Sequence, residues 1–139
     1  MPETPLQAVL HALETLDADA AVALFAPDGS LETVFGQRAD GRDQVRTLLG
    51  AFFAGLRATH YELTSEWHPE EGLWVGELTA NYELADRSRR GPYRRAVVVR
   101  CASAGIQEMS LYGAHELPLS ESGHAYAEVR GADGWMPTL

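Results

Sequence analysis

Apolar residues at Leu6, Val9, Leu10, Leu13 and Leu16 recur at the i, i+3, i+4, i+7 spacing of a helix with one buried face. A second, short helix through Phe25 follows, because Asp17 or Asp19 can accept hydrogen bonds from the free N–H groups at its start. Pro27-Asp28-Gly29 then supplies turn chemistry that ends this helix, and Ser30 to Phe35 reads as a short strand. With Asp40 as its cap, the clearest helical stripe of the chain runs through Val45, Leu48, Leu49, Phe52, Phe53 and Leu56.

After Arg57 the period changes to two. Tyr61, Leu63, Ser65 and Trp67 alternate with His60, Glu62, Thr64, Glu66 and His68, the pattern of a half-buried strand. A turn over 69–72 leads to a second long strand over 73–84, and 85–92 reads as a hairpin loop with Gly91-Pro92 as its turn. A third long strand over 93–102, a tight turn and a fourth strand from Ile106 complete the pattern. Helices followed by long antiparallel strands make an α+β arrangement, with the helices covering one face of the sheet. Residues 1–117 form one domain, and 118–139 form a C-terminal extension packed on the domain or on a partner. Within that extension "HAYAEV" reads either as a short strand or as surface-packed chain.

Composition narrows the chemistry. A chain of 139 residues, 45% hydrophobic, suits one domain with one core. The formal charge of −9 repels nucleic acid and anionic membranes alike. All 11 basic residues are Arg, so lysine Schiff-base chemistry and a P-loop lysine are excluded. Cys101, the single cysteine, sits in an apolar β-branched run and reads as an inert thiol. The N-terminal stretch lacks a basic region and no apolar run approaches the ~20 residues of a membrane span, so a cytoplasmic location is expected.

The element order, with "ALFAPDGSLE" between second helix and first strand, "GRDQVRTLL" opening the third helix and "SLYG" closing the last strand, resembles the SnoaL-like and ketosteroid-isomerase-like families of the nuclear-transport-factor-2-like superfamily. The resemblance implies a cystatin-like cone in which N-terminal helices pack on a strongly curved antiparallel sheet around a pocket. It also implies that Phe25, Leu49, Phe53, Val97 and Val99 shape an apolar wall. The catalytic groups of the isomerases align with Val9, Thr33 and Val97, with Glu32 one residue out of phase. The aspartate typical of SnoaL-type cyclases aligns with Ala114 and His115. Steroid isomerisation by the familiar route is therefore not expected.

Glu108, Ser110 and Tyr112 alternate on the last strand and share a face, which the resemblance turns toward the cavity. Glu108 as general base, Tyr112 as hydrogen-bond donor, Ser110 as a ligand contact and His115 at the mouth form the candidate set for proton-transfer chemistry of isomerase, cyclase or lyase type. The opposite register, with Met109 and Leu111 buried, leaves Glu108 in solvent. His11 reads as a base or as a partly exposed structural histidine. No cofactor is called for, and no metal: His60 and His68 stand about 26 Å apart along one strand. Five Arg residues between Arg87 and Arg95 read as a soluble hairpin tip, or more sharply as an anion or partner contact. The expected partners are a small apolar molecule and a second copy of the chain docked through the sheet face. The alternative is a non-catalytic dimerisation or interaction module; in a third reading Trp135 or Met136 of the tail occupies the pocket.

Overall fold

Thr4 starts the first helix, α1 (Pro5–Glu14), in the computed structural model, which describes residues 2–113. Its Oγ1 accepts from the Gln7 N–H at 3.1 Å while the Gln7 side chain accepts from the Thr4 N–H, a reciprocal cap that satisfies two free donors. Leu6, Val9, Leu10 and Leu13 form its buried face. Asp17 caps α2 (Ala18–Val22), accepting from the N–H groups of Asp19 and Ala20. That helix ends before Phe25, which instead opens β1 (Phe25–Glu32).

Pro27-Asp28-Gly29 lies inside β1 as an irregularity of the strand, and makes no helix-ending turn. The carbonyls around it are taken up by partners elsewhere: Leu24 accepts from the Ile106 N–H, Phe25 from Arg42 Nε and Gly29 from the Gly41 N–H, at 2.8–2.9 Å. β2 (Arg38–Asp40), which the hydrophobic pattern does not announce, pairs with β1 as a hairpin. Gly41, at φ 85°, caps α3 (Arg42–Ala54); Asp40 does not, and its N–H donates to Gln44 Oε1. Val45, Leu49 and Phe53 point inward from α3.

The long strands are β3 (Leu56–Glu70), β4 (Leu73–Leu84), β5 (Arg89–Ala102) and β6 (Gly105–Tyr112). The β4–β5 connection turns at 85–88, where the Arg87 N–H donates to the Leu84 carbonyl. Gly91-Pro92 therefore belongs to β5 and is not the hairpin turn.

The six strands lie in the order β2-β1-β6-β5-β4-β3. This corrects the expectation of a strongly curved antiparallel sheet in two respects. β1 runs parallel to β6, and the sheet is open, neither closed nor strongly curled, with β2 and β3 as its separate edges. α1 packs across β3, β4 and β5 while α3 reaches β1, β2 and β3, so a helical layer spans the face and touches both edge strands. The core of that layer joins Leu6, Leu10, Phe25, Val45, Leu49, Val97, Val99 and Met109. At the β3 edge, the Glu14 carboxylate accepts from the Tyr61 N–H at 2.8 Å, and Glu66 accepts from Thr4 Oγ1 and Gln7 Nε2. The expected extension, its "HAYAEV" segment, His115, Trp135 and Met136 lie outside the described residues.

Two glycines separate backbone need from mere tolerance. A Cβ on Gly29 would stand 2.4 Å from the Ile106 carbonyl oxygen, whereas one on Gly50, within α3, meets nothing within 4 Å. Gly29→Ala is expected to cost about 1–3 kcal/mol through backbone displacement. Gly50→Ala is expected to add about 0.5–1 kcal/mol by helix propensity. Urea denaturation of both variants checks the pair.

Candidate functional site

Residues paired directly across neighbouring strands share a face, so the registers define rows on the helix-facing side. Thr59 pairs with Tyr82 and Tyr82 with Arg90; Tyr61 pairs with Ala80 and Ala80 with Tyr93. Leu63, Leu78 and Arg95 form the next row. Beyond it come Gly76, Val97 and Leu111, then Trp74, Val99 and Met109. The side is thus graded: apolar toward α1 and β1, hydroxylated and cationic toward the β4–β5 hairpin.

The polar end is built of aromatic rings. Tyr61 and Tyr82 meet edge-on with centroids 6.3 Å apart, Tyr93 lies 5.9 Å from Tyr82, and Phe52 of α3 closes on Tyr82 at 5.8 Å. The Arg95 guanidinium sits 4.9 Å from the centre of the Tyr93 ring, a cation–π distance. Burial pushes the Tyr61 hydroxyl well above the ordinary tyrosine range, with Tyr82 and Glu14 adding to the shift. Tyr82 is raised by burial as well, partly opposed by Arg95. Both phenols are therefore neutral hydrogen-bond donors at physiological pH and not bases.

Beside them opens a cleft of about 360 Å³ lined by Thr59, Tyr82, Arg89, Arg90, His60 and Glu83, among others. Its size falls at the lower end of the range for small-molecule sites. Thr59 is 6% exposed, and its Oγ1 has no hydrogen-bond partner among the described residues. The hydroxyl lies near enough to Tyr61 to favour the phenolate slightly, without reaching hydrogen-bond geometry. A buried hydroxyl left unpaired costs about 1–3 kcal/mol, so its retention is unusual. Glu83 is held by Arg57 Nε at 3.3 Å, and His60 faces Glu14 at 3.3 Å.

The residues singled out by sequence fall into two groups. Phe25, Leu49, Phe53, Val97 and Val99 are buried together in the core, Val97 and Val99 with no exposed surface. Glu108, Ser110 and Tyr112 stand on the opposite, helix-free face, with Glu108 exposed 3.7 Å from Arg100 and Tyr112 54% exposed. The orientation toward the helices is thereby corrected. The β5–β6 register shifts between Arg100 and Cys101, leaving Gln107 as an extra residue, so Ile106 and Met109 both point inward. His11 is exposed and contacts Glu3, and burial raises the Cys101 thiol. Among the described residues no group of three or more His, Cys, Asp or Glu could hold a metal ion, and no helix is long and apolar enough to cross a membrane.

Sequence reasoning passed over Thr59 and Tyr93, and read Arg95 as part of a soluble hairpin tip or an anion or partner contact. The signal for Arg95 was present: it lies in phase with Tyr93, Val97 and Val99, and the charge run around it disguised that alternation.

Comparison with known proteins bears on the fold. Residues 6–109 match the family model described as a SnoaL-like domain. A protein from Catenulispora acidiphila with a ketosteroid isomerase-like fold, solved in complex with trimethylamine, superposes with a TM-score of 0.76 at 18% identity, covering 88% of this chain and 95% of that one. An M. tuberculosis epoxide hydrolase resembling LEH gives 0.68 at 19% identity, covering 79% of this chain and 80% of that one. The epoxide hydrolase/cyclase-like enzyme SalBIII, of pyran ring formation in salinomycin, gives 0.69 at 15%, covering 80% and 88%. No curated protein matches the chain.

The raised phenols carry a pH consequence. A tyrosine whose folded value lies above its unfolded value of about 10 keeps its proton longer in the fold. The stability it contributes is complete below that pH and is lost as pH rises through the folded value. Urea midpoints should therefore fall above pH ~10, and Tyr61→Phe should flatten that fall; absorbance of phenolate against pH reports the same groups directly.

Proposed function

The chain belongs to the SnoaL-like family of the nuclear-transport-factor-2-like superfamily, and from that premise we propose that it binds a small, mostly apolar molecule in the cleft at the β4–β5 hairpin end of its sheet. The observation that carries this reading is the cleft of about 360 Å³ whose wall includes Thr59 and Tyr82, members of the aromatic rows. The Tyr82 ring in the cleft wall supplies apolar contact, and its phenol O–H supplies a donor that fixes orientation.

Such donors polarise a carbonyl or stabilise an oxyanion when they already point at the reacting oxygen. If turnover occurs, it is proton-transfer chemistry in which Tyr82 acts as a donor. Glu108 and Tyr112, on the far face, then take no part. The small-molecule complexes and epoxide or cyclisation chemistry of the structural relatives support a pocket in this fold and leave its substrate open.

A second reading concerns the helix-free face. Trp67, 49% exposed, heads a row with Val75 and Val98, and Tyr112 stands close by across Ala96. This apolar stripe fits self-association of two copies through their sheets. Sedimentation of the wild-type chain should give a dimer, and Val98→Glu should give a folded monomer; a monomeric wild type removes this reading.

For the pocket, native mass spectrometry of protein from its own host should show a small added mass that denaturation releases. Ala58→Trp, at an exposed position lining the cleft, should remove that mass while preserving the fold. Equal mass with and without the plug would place the ligand elsewhere.

A further inference from the structure

The cleft and the apolar stripe share one face of the sheet. Thr59, Tyr82 and Arg90 form a row on the helix-facing side, so the neighbouring rows of the cleft wall, Ala58–Glu83–Arg89 and His60–Asn81, point away from the helices. Trp67, Val75 and Val98 stand on that same face. Val75 and Glu83 are eight residues apart on β4, about 26 Å along the strand. One opposing sheet is long enough to cover both, since β3 alone runs 15 residues.

Within one copy the cleft is also short of a wall. Ala58, His60, Asn81 and Arg89 are all exposed. Sites for small molecules cover roughly 70–90% of what they hold, so this one calls for a roof. Neither α1 nor α3 supplies it, because both pack on the other side of the sheet.

Charge on this face fits a second copy. Between the stripe and the cleft lies the row Glu62–Thr79–Arg94. Glu62 and Arg94 are exposed and engage no opposite charge among the described residues, whereas Arg38, Arg46, Arg57 and Arg100 each hold a carboxylate at 2.7–3.8 Å. With β4 between them, their strands lie about 10 Å apart. A two-fold axis along β4, between two stacked sheets, sets Glu62 of each copy over Arg94 of the other, and Trp67 over Val98. Glu83 is already held by Arg57, and Glu77 meets its mate obliquely because aligned sheets cross at about 30°.

Resting on the small-molecule reading above, we propose that a second copy of the chain roofs the cleft, so that the ligand site is complete only in the dimer. The same axis carries the partner subunit's Arg89 over Ala58, and each copy thus lends a residue to the other's site. Binding and association then strengthen one another, because a ligand held only by the dimer draws monomers into it.

Ala58→Cys, in a chain whose Cys101 is changed to Ser, reports the roof. Its reaction with a small maleimide should be at least about tenfold slower in the dimer than in the Val98→Glu monomer, the factor for a surface nine-tenths covered. Glu62→Arg or Arg94→Glu alone should weaken association at least about tenfold by sedimentation, and the two together should restore it. The mass retained in native mass spectrometry should vanish with Val98→Glu, although Val98 does not line the cleft. Trp67→Glu, at an exposed position, should repeat that result and serves where Val98→Glu does not fold. Equal thiol rates in dimer and monomer, or a charge exchange that restores nothing, overturns the roof and leaves the cleft standing. Retention of the mass by the monomeric variant does the same. A monomeric wild type overturns this proposal alone, and a wild type with no retained mass overturns the small-molecule reading with it.

Discussion

In a sheet packed on helices, a side chain's surroundings are decided by strand phase, and phase is a property that single extra residues reset. Each irregularity here exchanges faces for everything that follows it. Between β5 and β6 the extra residue is Gln107, and it turns Met109 inward and Glu108 outward. Between β4 and β5 the register shifts at Ala80 to Tyr82, so that Tyr82 pairs with Arg90 while Ala80 pairs with Tyr93. Without that second shift Arg90 would sit on the face opposite Tyr82, which Arg89 now occupies. The polar end of the helix-facing side is a consequence of bulge placement as much as of residue type.

The energetics follow from that grading. Val97, Val99, Met109 and Phe25 give the fold its buried apolar area, at roughly 25 cal/mol per Å² removed from water. The hydroxylated rows contribute less. Buried phenols and a threonine hydroxyl with no partner among the described residues are groups that a core optimised for stability would replace. Local destabilisation concentrated at one end of the sheet is the usual mark of a site maintained for something other than folding.

Much of the architecture was legible from the chain. The stripe from Leu6 to Leu13, the Asp17 cap and the alternating run that becomes β4 over 73–84 are local signals, and local signals survive tertiary packing. What escaped was set at a distance. Pro27-Asp28-Gly29 has the composition of a turn, yet Arg42, Gly41 and Ile106 hold it in a strand. Gly91-Pro92 has it too, and pairing with β4 keeps it in β5. The parallel partner of β1 comes from 81 residues downstream, since Phe25 pairs with Ile106 at the start of β6, and no periodicity encodes such a pairing. The site suffered most, because a one-residue shift leaves composition unchanged and reverses which side chains meet.

The hydrogen bond from the Tyr61 amide to Glu14 has a further meaning beyond joining helix to strand. β3 ends the sheet, and an edge strand offers unpaired amides to any passing chain. Here one such donor is already claimed by a carboxylate from α1, and Glu66 ties the first turn of that helix to the same strand. A negative charge stationed at the rim makes strand addition unattractive to another copy of an acidic chain, so this border resists fibril-like stacking. Loss of α1 docking would therefore expose a template for aggregation as well as weaken the core.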